Sequence, residues 1–331
     1  MHIKIFLNSA NNDEERTLLL QFGEGVQNWI NRTQVEIDQT YQSNIGKWKP
    51  ESGHCLQYTS ADEYEDCDVA VIFGSAKPRE KGHHLVRSSV FSKSPCFVVL
   101  ETPLLARKTS ETNQYWRVGI NGYLNDNGYW PEVDSSITRR SLFVDPWAGW
   151  KNSLDGYILL ALQLPADASM RGRDVSLWAF DTIQKIRSYS NRHIRIRSHP
   201  LTSDRAWTVY HSLLAKLMVN DLHHNITLSD GALVPWEKDI QAAYCTVAFT
   251  SGLSIDSVIS GIPVLPTDPG NFTWGFSSHL FTELDKLEMA SAGVIEQWLE
   301  NLAWAQWSGK EMQEGILWPR LLPKISAVLE Q

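Results

Sequence analysis

Short apolar runs alternate along this chain with longer stretches whose apolar residues recur at helical spacing. Ile3–Leu7 reads as a first strand. From Glu14 to Ile30, the positions Leu18, Leu19, Phe22, Val26 and Ile30 line one face of a helix. Asp68–Phe73 is a continuous apolar strand ending at Gly74, and Phe97–Leu100 is another, stopped by Glu101, Thr102 and Pro103. Trp116–Ile120 predicts one more strand before the turn-forming Asn121 and Gly122.

Positions 121–155 break the rhythm with Gly, Asn, Asp, Pro and Trp in no regular period. We place a domain division there: residues 1–150, then 151–310, with a C-terminal helix over 311–331 that has the length to cross back. Beyond the break the alternation is sharper. Strands are predicted at 157–164, 194–197, 225–228, 246–249 and 263–265, with helices at 175–189, 207–219, 236–243 and 253–260. Strands that alternate with helices imply parallel βαβ units, so the fold class is α/β with two Rossmann-like, doubly wound domains.

Composition narrows the function classes. The 331 residues suit two domains, and 43% apolar with 21% charged residues means a packed globule. A net charge of −8 argues against a protein that merely coats nucleic acid. Cys55, Cys67, Cys96 and Cys245 are scattered and form no C-x-x-C pair, so reduced thiols are expected and no metal site is. The apolar start is too short for a signal peptide, and no run reaches the ~18 apolar residues of a membrane helix. A cytoplasmic protein with no membrane span is therefore expected. The 14 Trp residues have two open readings, core packing or stacking platforms for bases and sugars.

In a doubly wound sheet, ligands bind beyond the carboxyl ends of the strands. That rule selects the loops after each strand of the second half. Thr250, Ser251, Gly252, Leu253 and Ser254 lie between a strand and a helix, where hydroxyls and backbone N–H groups suit a phosphate, or simply cap the helix. Ser198, His199 and Pro200 end another strand whose Arg195 and Arg197 share a face with His199, a cationic strand end that suits a diphosphate, or else a solvated edge strand. Ser169, Arg171 and Gly172 have the makeup of a lid over phosphates, or of a surface turn. Asp256 is placed in the helix to accept bonds from ribose hydroxyls.

With its His199-Pro200 turn and the run from Thr250 to Val264, the second half resembles the donor domain of GT-B glycosyltransferases, nearest to the capsule and teichoic-acid polymerase group. The likeness covers about residues 157–270. It implies two Rossmann-like domains facing a cleft, and a nucleotide-sugar co-substrate, UDP-sugar first among them, with no tightly bound cofactor. His199, Thr250 and Ser251 would then contact the donor phosphates. Asp256, standing where the family usually has Glu, would hold the ribose. A looser likeness to phage DNA-modifying glycosyltransferases rests on Val98–Glu101, Arg117–Gly122, Pro146-Trp147, Gln163–Pro165, Ser169, Gly172 and Asp174.

A transferase of this kind needs a general base on the acceptor side. Glu101, at a strand's carboxyl end, is the first choice, ahead of Asp126 and His84. Residues 77–108 hold seven cations against Glu80 and Glu101, a local excess of five. Arg79, Lys81, His84 and Arg87, with Asn121, are accordingly the acceptor-binding candidates, and double-stranded DNA with a hydroxymethylated base is the leading acceptor. Tyr115, Trp116, Tyr129 and Trp130 would fill the gap left by a flipped base. The alternatives are a transferase for cell-surface polysaccharide or glycolipid, a sugar-nucleotide epimerase, and a non-catalytic binding module of the same fold.

Overall fold

The computed structural model describes residues 1–7, 11–43, 54–60, 63–74, 83–106, 115–151, 153–201 and 204–331, with the side chains of 34–43, 83–84 and 204–206 left aside. In chain order the elements are β1 (His2–Phe6), α1 (Asp13–Ser43), β2 (Cys55–Thr59), β3 (Val69–Phe73), α2 (His83–Lys93), β4 (Cys96–Glu101) and β5 (Tyr115–Ile120). Then follow β6 (Tyr157–Ala161), α3 (Val175–Tyr189), β7 (Ile194–Arg197), α4 (Asp204–Val219), β8 (Ile226–Ser229), α5 (Trp236–Gln241), β9 (Ala243–Ala248), α6 (Leu253–Ile259) and β10 (Val264–Pro266). The chain ends with α7 (Ala292–Trp304), β11 (Gln306–Ser308), α8 (Gly309–Gln313) and α9 (Trp318–Leu329).

Packing divides these elements into two compact units. Unit 1 is Met1–Tyr123, Asn127–Arg139 and Glu300–Gln331; unit 2 is Leu124–Asp126 and Arg140–Leu299. The sequence bounds at 150 and 311 lie further along the chain than these transitions. The physical reason is local anchoring. Trp147 and Trp150 donate their indole N–H groups to the carbonyls of Val258 and Ala290, both 2.8 Å away, which ties the Trp-rich segment to unit 2.

The sheet of unit 2 runs β10-β9-β6-β7-β8, and all its pairings are parallel. Counted within the unit, that is the doubly wound order 3-2-1-4-5 read from its far edge, with the reversal between β6 and β9. Every residue of β9 is buried, as expected of a strand covered on both faces. Helix α3 starts where Asp174 accepts a hydrogen bond from the Leu177 N–H at 2.9 Å. Trp178, Ala179, Ile183 and Ile186 then form its buried face.

The sheet of unit 1 runs β11-β5-β4-β3-β1-β2. β2, β1, β3 and β4 pair in parallel, whereas β5 and β11 are antiparallel to their neighbours. The C-terminal segment therefore contributes a strand as well as the expected helices. Trp304, Trp307 and Trp318 are buried in this core with Leu18, Phe22 and Val98. The Arg139 guanidinium lies 4.3 Å from the ring centre of Trp307 and donates to Glu311 at 2.6 Å. Much of the tryptophan is thus structural. No helix among the described residues is long and apolar enough to cross a membrane.

Candidate active site

Gln163 sits just beyond β6, at the point where the strand order of unit 2 reverses. The sequence pattern absorbed it into an apolar run, but β6 ends at Ala161 and the side chain is buried in the loop. Its Oε1 accepts from the Thr250 N–H at 3.0 Å. Its Nε2 donates to Ser169 Oγ at 2.6 Å and to Thr250 Oγ1 at 3.0 Å. The Thr250 hydroxyl donates in turn to the Ser169 carbonyl at 3.1 Å. One buried amide therefore fixes the turns after β6 and β9, and it brings together Ser169 and Thr250, which the sequence proposed separately.

The turn at Thr250–Ser254 is half recognition surface and half scaffold. Ser254 is fully buried and accepts from Asn271 Nδ2 at 2.8 Å, so its hydroxyl serves the packing of the β10 loop. Ser251 is half-buried, and its hydroxyl accepts from the Leu253 N–H at 3.3 Å. The N–H groups of Ser251 and Gly252 donate to no group among the described residues. Helix α6 has seven residues, too few for a strong macrodipole, so these N–H groups and the Ser251 hydroxyl are what the turn offers an anion. Asp256 is half-buried in the first turn of α6.

The β7 turn is built differently from the sequence expectation. Arg197 is buried, and its Nη1 lies 2.5 Å from Asp239 Oδ2. Arg195 reaches Asp239 Oδ1 at 2.7 Å. Both guanidiniums are spent on one interior carboxylate, so Arg197 is a structural residue of the strand and not a ligand for the donor. Burial pushes the Asp239 carboxyl up, but hydrogen bonds from Ser229, Arg197 and Arg195 outweigh it and hold the group below the usual carboxylate range. Beyond this anchor, the His199 N–H donates to the Tyr210 hydroxyl at 3.1 Å, and His199 Nδ1 accepts from the Leu201 N–H at 3.1 Å. In the neutral ring the proton then sits on Nε2.

Because β7 and β9 are the two neighbours of β6, His199 and Thr250 stand at the same carboxyl edge, about 10 Å apart by strand spacing. Arg171, expected in a lid, is clamped instead. It pairs with Asp126 and lies 3.3 Å from Asp268, and a Cβ on Gly270 would come within 2.6 Å of its Nη2. The exposed cluster of Asp221, His223 and His224 lies in the turn from α4 to β8, at the opposite edge of this sheet.

In unit 1, Glu101 ends β4 half-buried, and its Oε1 accepts from the Thr102 N–H at 2.9 Å. Asn121 ends β5. Since β5 runs antiparallel to β4, Asn121 falls at the other end of the sheet, where it clasps Phe97 by two 2.9 Å hydrogen bonds. It is a backbone brace and is removed from the edge where Glu101 sits. Arg87 is on that edge but buried, against Gly74. Arg79 and Lys81, and the side chain of His84, lie outside the described residues. Trp116 is buried against Phe73 and cannot serve as a wedge between bases.

No family model matches the chain, and no curated protein matches it. Among solved structures, the chain is similar to the Thermosulfurimonas dismutans KpsC beta Kdo 2,7 transferase, at 12% identity and a TM-score of 0.41, over 75% of this chain and 84% of that one. It is also similar to the beta Kdo 2,4 transferase of the same KpsC, at 12% identity and a TM-score of 0.40, over 84% and 91% of the two chains.

Proposed function

We propose that the chain is a glycosyltransferase that uses a nucleotide sugar, with the donor diphosphate held in unit 2 by the turns of His199 and of Thr250 and Ser251. The observation that carries this reading is the position of those two turns. They flank β6 at the carboxyl edge of a doubly wound sheet, on either side of the point where its order reverses. The Ser251 hydroxyl, N–H groups without a partner among the described residues and a fixed imidazole there form a donor set for phosphate oxygens. UDP-sugar is the expected co-substrate, and Asp256 is the candidate for the ribose.

In this reading unit 1 binds the acceptor. The acceptor hydroxyl oxygen bonds to the sugar's anomeric carbon, the bond from that carbon to the diphosphate breaks, and the nucleoside diphosphate leaves with the bonding pair. Glu101 takes the hydroxyl proton. The residues support a carbohydrate hydroxyl over a base in duplex DNA. Trp116 is in the core, and Asn121 is at the wrong edge.

The test is a panel of UDP-sugars offered with saccharide acceptors or with hydroxymethylated DNA, followed by mass analysis of the products. A mass gain on saccharide with release of UDP is expected, and a gain on DNA alone would overturn the acceptor reading. Glu101→Gln should keep UDP affinity and lose about 100- to 10,000-fold in kcat. Absence of both UDP binding and transfer would remove the proposal.

A further inference from the structure

Unit 1 contains a second point of strand reversal, apart from the one in unit 2. In the order β4-β3-β1-β2, the chain leaves β1 toward β2 and leaves its neighbour β3 toward β4, in opposite directions across the sheet. The carboxyl ends of β1 and β3 flank the resulting crevice, the position where open α/β sheets take ligands.

Two buried polar atoms at this place lack partners among the described residues. The first is on Arg87, which is 8% exposed. Its guanidinium lies over the Gly74 α-carbon, just past the end of β3. A Cβ built there would meet Cζ at 3.1 Å and both terminal nitrogens at 3.2 Å. Arg87 Nε has no hydrogen-bond partner among the described residues. The second is on Asn11, which is 5% exposed and follows β1. Its Nδ2 donates to Glu15 Oε2 at 2.9 Å, which fixes the orientation of the amide, and its Oδ1 is left without a partner among the described residues. Glu15 also links the two, because its carboxylate and that of Glu101 both act on the Arg87 charge.

A buried guanidinium without its full set of partners is costly, and arginine does not escape the cost by losing its proton. The Arg197–Asp239 pair of unit 2 shows what a satisfied structural arginine looks like in this protein. Arg87 differs in offering a donor, and Asn11 an acceptor, on the two sides of the crevice. A single molecule that presents an oxyanion and a hydroxyl satisfies both.

We infer that the carboxyl edge of β1 and β3 binds the acceptor through an oxyanion, a carboxylate or a phosphate monoester, held by Arg87, while a hydroxyl of the same molecule donates to Asn11. The word acceptor rests on the proposed glycosyl transfer; the binding itself does not. Glu101, on the neighbouring strand β4, then has the acceptor's remaining hydroxyls beside it.

Calorimetric titration of the full chain with glucuronate, glucose 6-phosphate, glucose and UDP tests this. Glucuronate or glucose 6-phosphate should bind at least tenfold more tightly than glucose, about the worth of one hydrogen bond to a charged group. Whichever of the two binds names the oxyanion. Arg87→Gln should abolish the preference, and Arg87→Lys and Asn11→Ala should each weaken it, all with unchanged UDP affinity. Equal binding of acids and glucose, or wild-type acid binding by Arg87→Gln, overturns the inference. Should Arg87→Gln lose its cooperative melt, the other two variants decide: wild-type acid affinity in both overturns it. Acid binding without UDP binding keeps this inference and removes the donor reading, and UDP binding without acid preference does the reverse.

Discussion

The carboxyl edges of the two sheets are finished in opposite ways. In unit 2 the loops are sewn together by side chains from neighbouring turns. Gln163 holds Thr250 and Ser169, Asn271 holds Ser254 and the Phe249 carbonyl, and Ser198 accepts from the Gly231 N–H at 2.6 Å. In unit 1 the corresponding edge keeps a buried donor on Arg87 and a buried acceptor on Asn11 without partners among the described residues. An edge that satisfies itself can hold a ligand's phosphates without rearranging, so little ordering cost falls on binding. An edge with unmatched buried groups gains most from a ligand that matches them, which makes it the more selective of the two.

Breaking the self-satisfied edge should have the largest effect. Asp239→Ala leaves Arg197 buried without its counter-ion and should cost about 3–5 kcal/mol, measured by urea unfolding of the full chain. The same carboxylate predicts a pH dependence. Its folded pKa is depressed, so the stability it contributes is present above the unfolded carboxylate value of about 4 and is lost as the pH falls through the lower folded value. The variant should therefore show a flatter acid limb than wild type. Equal midpoints at pH 7 would mean that the ion pair does not hold this edge.

Gln163→Leu is expected to come next. It removes the amide that joins the β6 and β9 turns and strands the Thr250 N–H, for about 1–3 kcal/mol of stability. UDP affinity should drop about tenfold, while glucuronate binding should not change. A matched loss of both would show that the two edges are not independent.

The smallest change probes unit 1. Gly74 has φ +77°, a conformation that favours glycine, and a new methyl group would press on the Arg87 guanidinium. Gly74→Ala should cost about 1–2 kcal/mol and reduce acid binding without altering UDP binding. Unchanged acid affinity in a folded Gly74→Ala protein would separate that glycine from the crevice.

The local elements were legible from the pattern of apolar residues. Helix α3 spans Val175–Tyr189, as the spacing of its apolar face predicts, and β7 spans Ile194–Arg197 likewise. Strand β11 was not legible, because three residues carry no period of their own and pair with β5 from far along the chain. Gln163 was hidden by its apolar neighbours, and only the early end of β6 exposes it as a loop residue. Asn121 was placed on the acceptor side because sequence order does not reveal that β5 runs backward.

By itself the sequence determined where the strongly patterned strands and helices form, among them α3 and β7, and which loops follow the parallel strands of unit 2. Those features depend on the repeat of side chains along a few consecutive residues. Which charges meet was decided by the tertiary structure. Nothing local marks Asp239 of α5 as the partner of Arg195 and Arg197, or sets Arg87 of α2 over Gly74. Such pairings follow from strand order and direction, and burial then makes each satisfied or unsatisfied contact matter energetically.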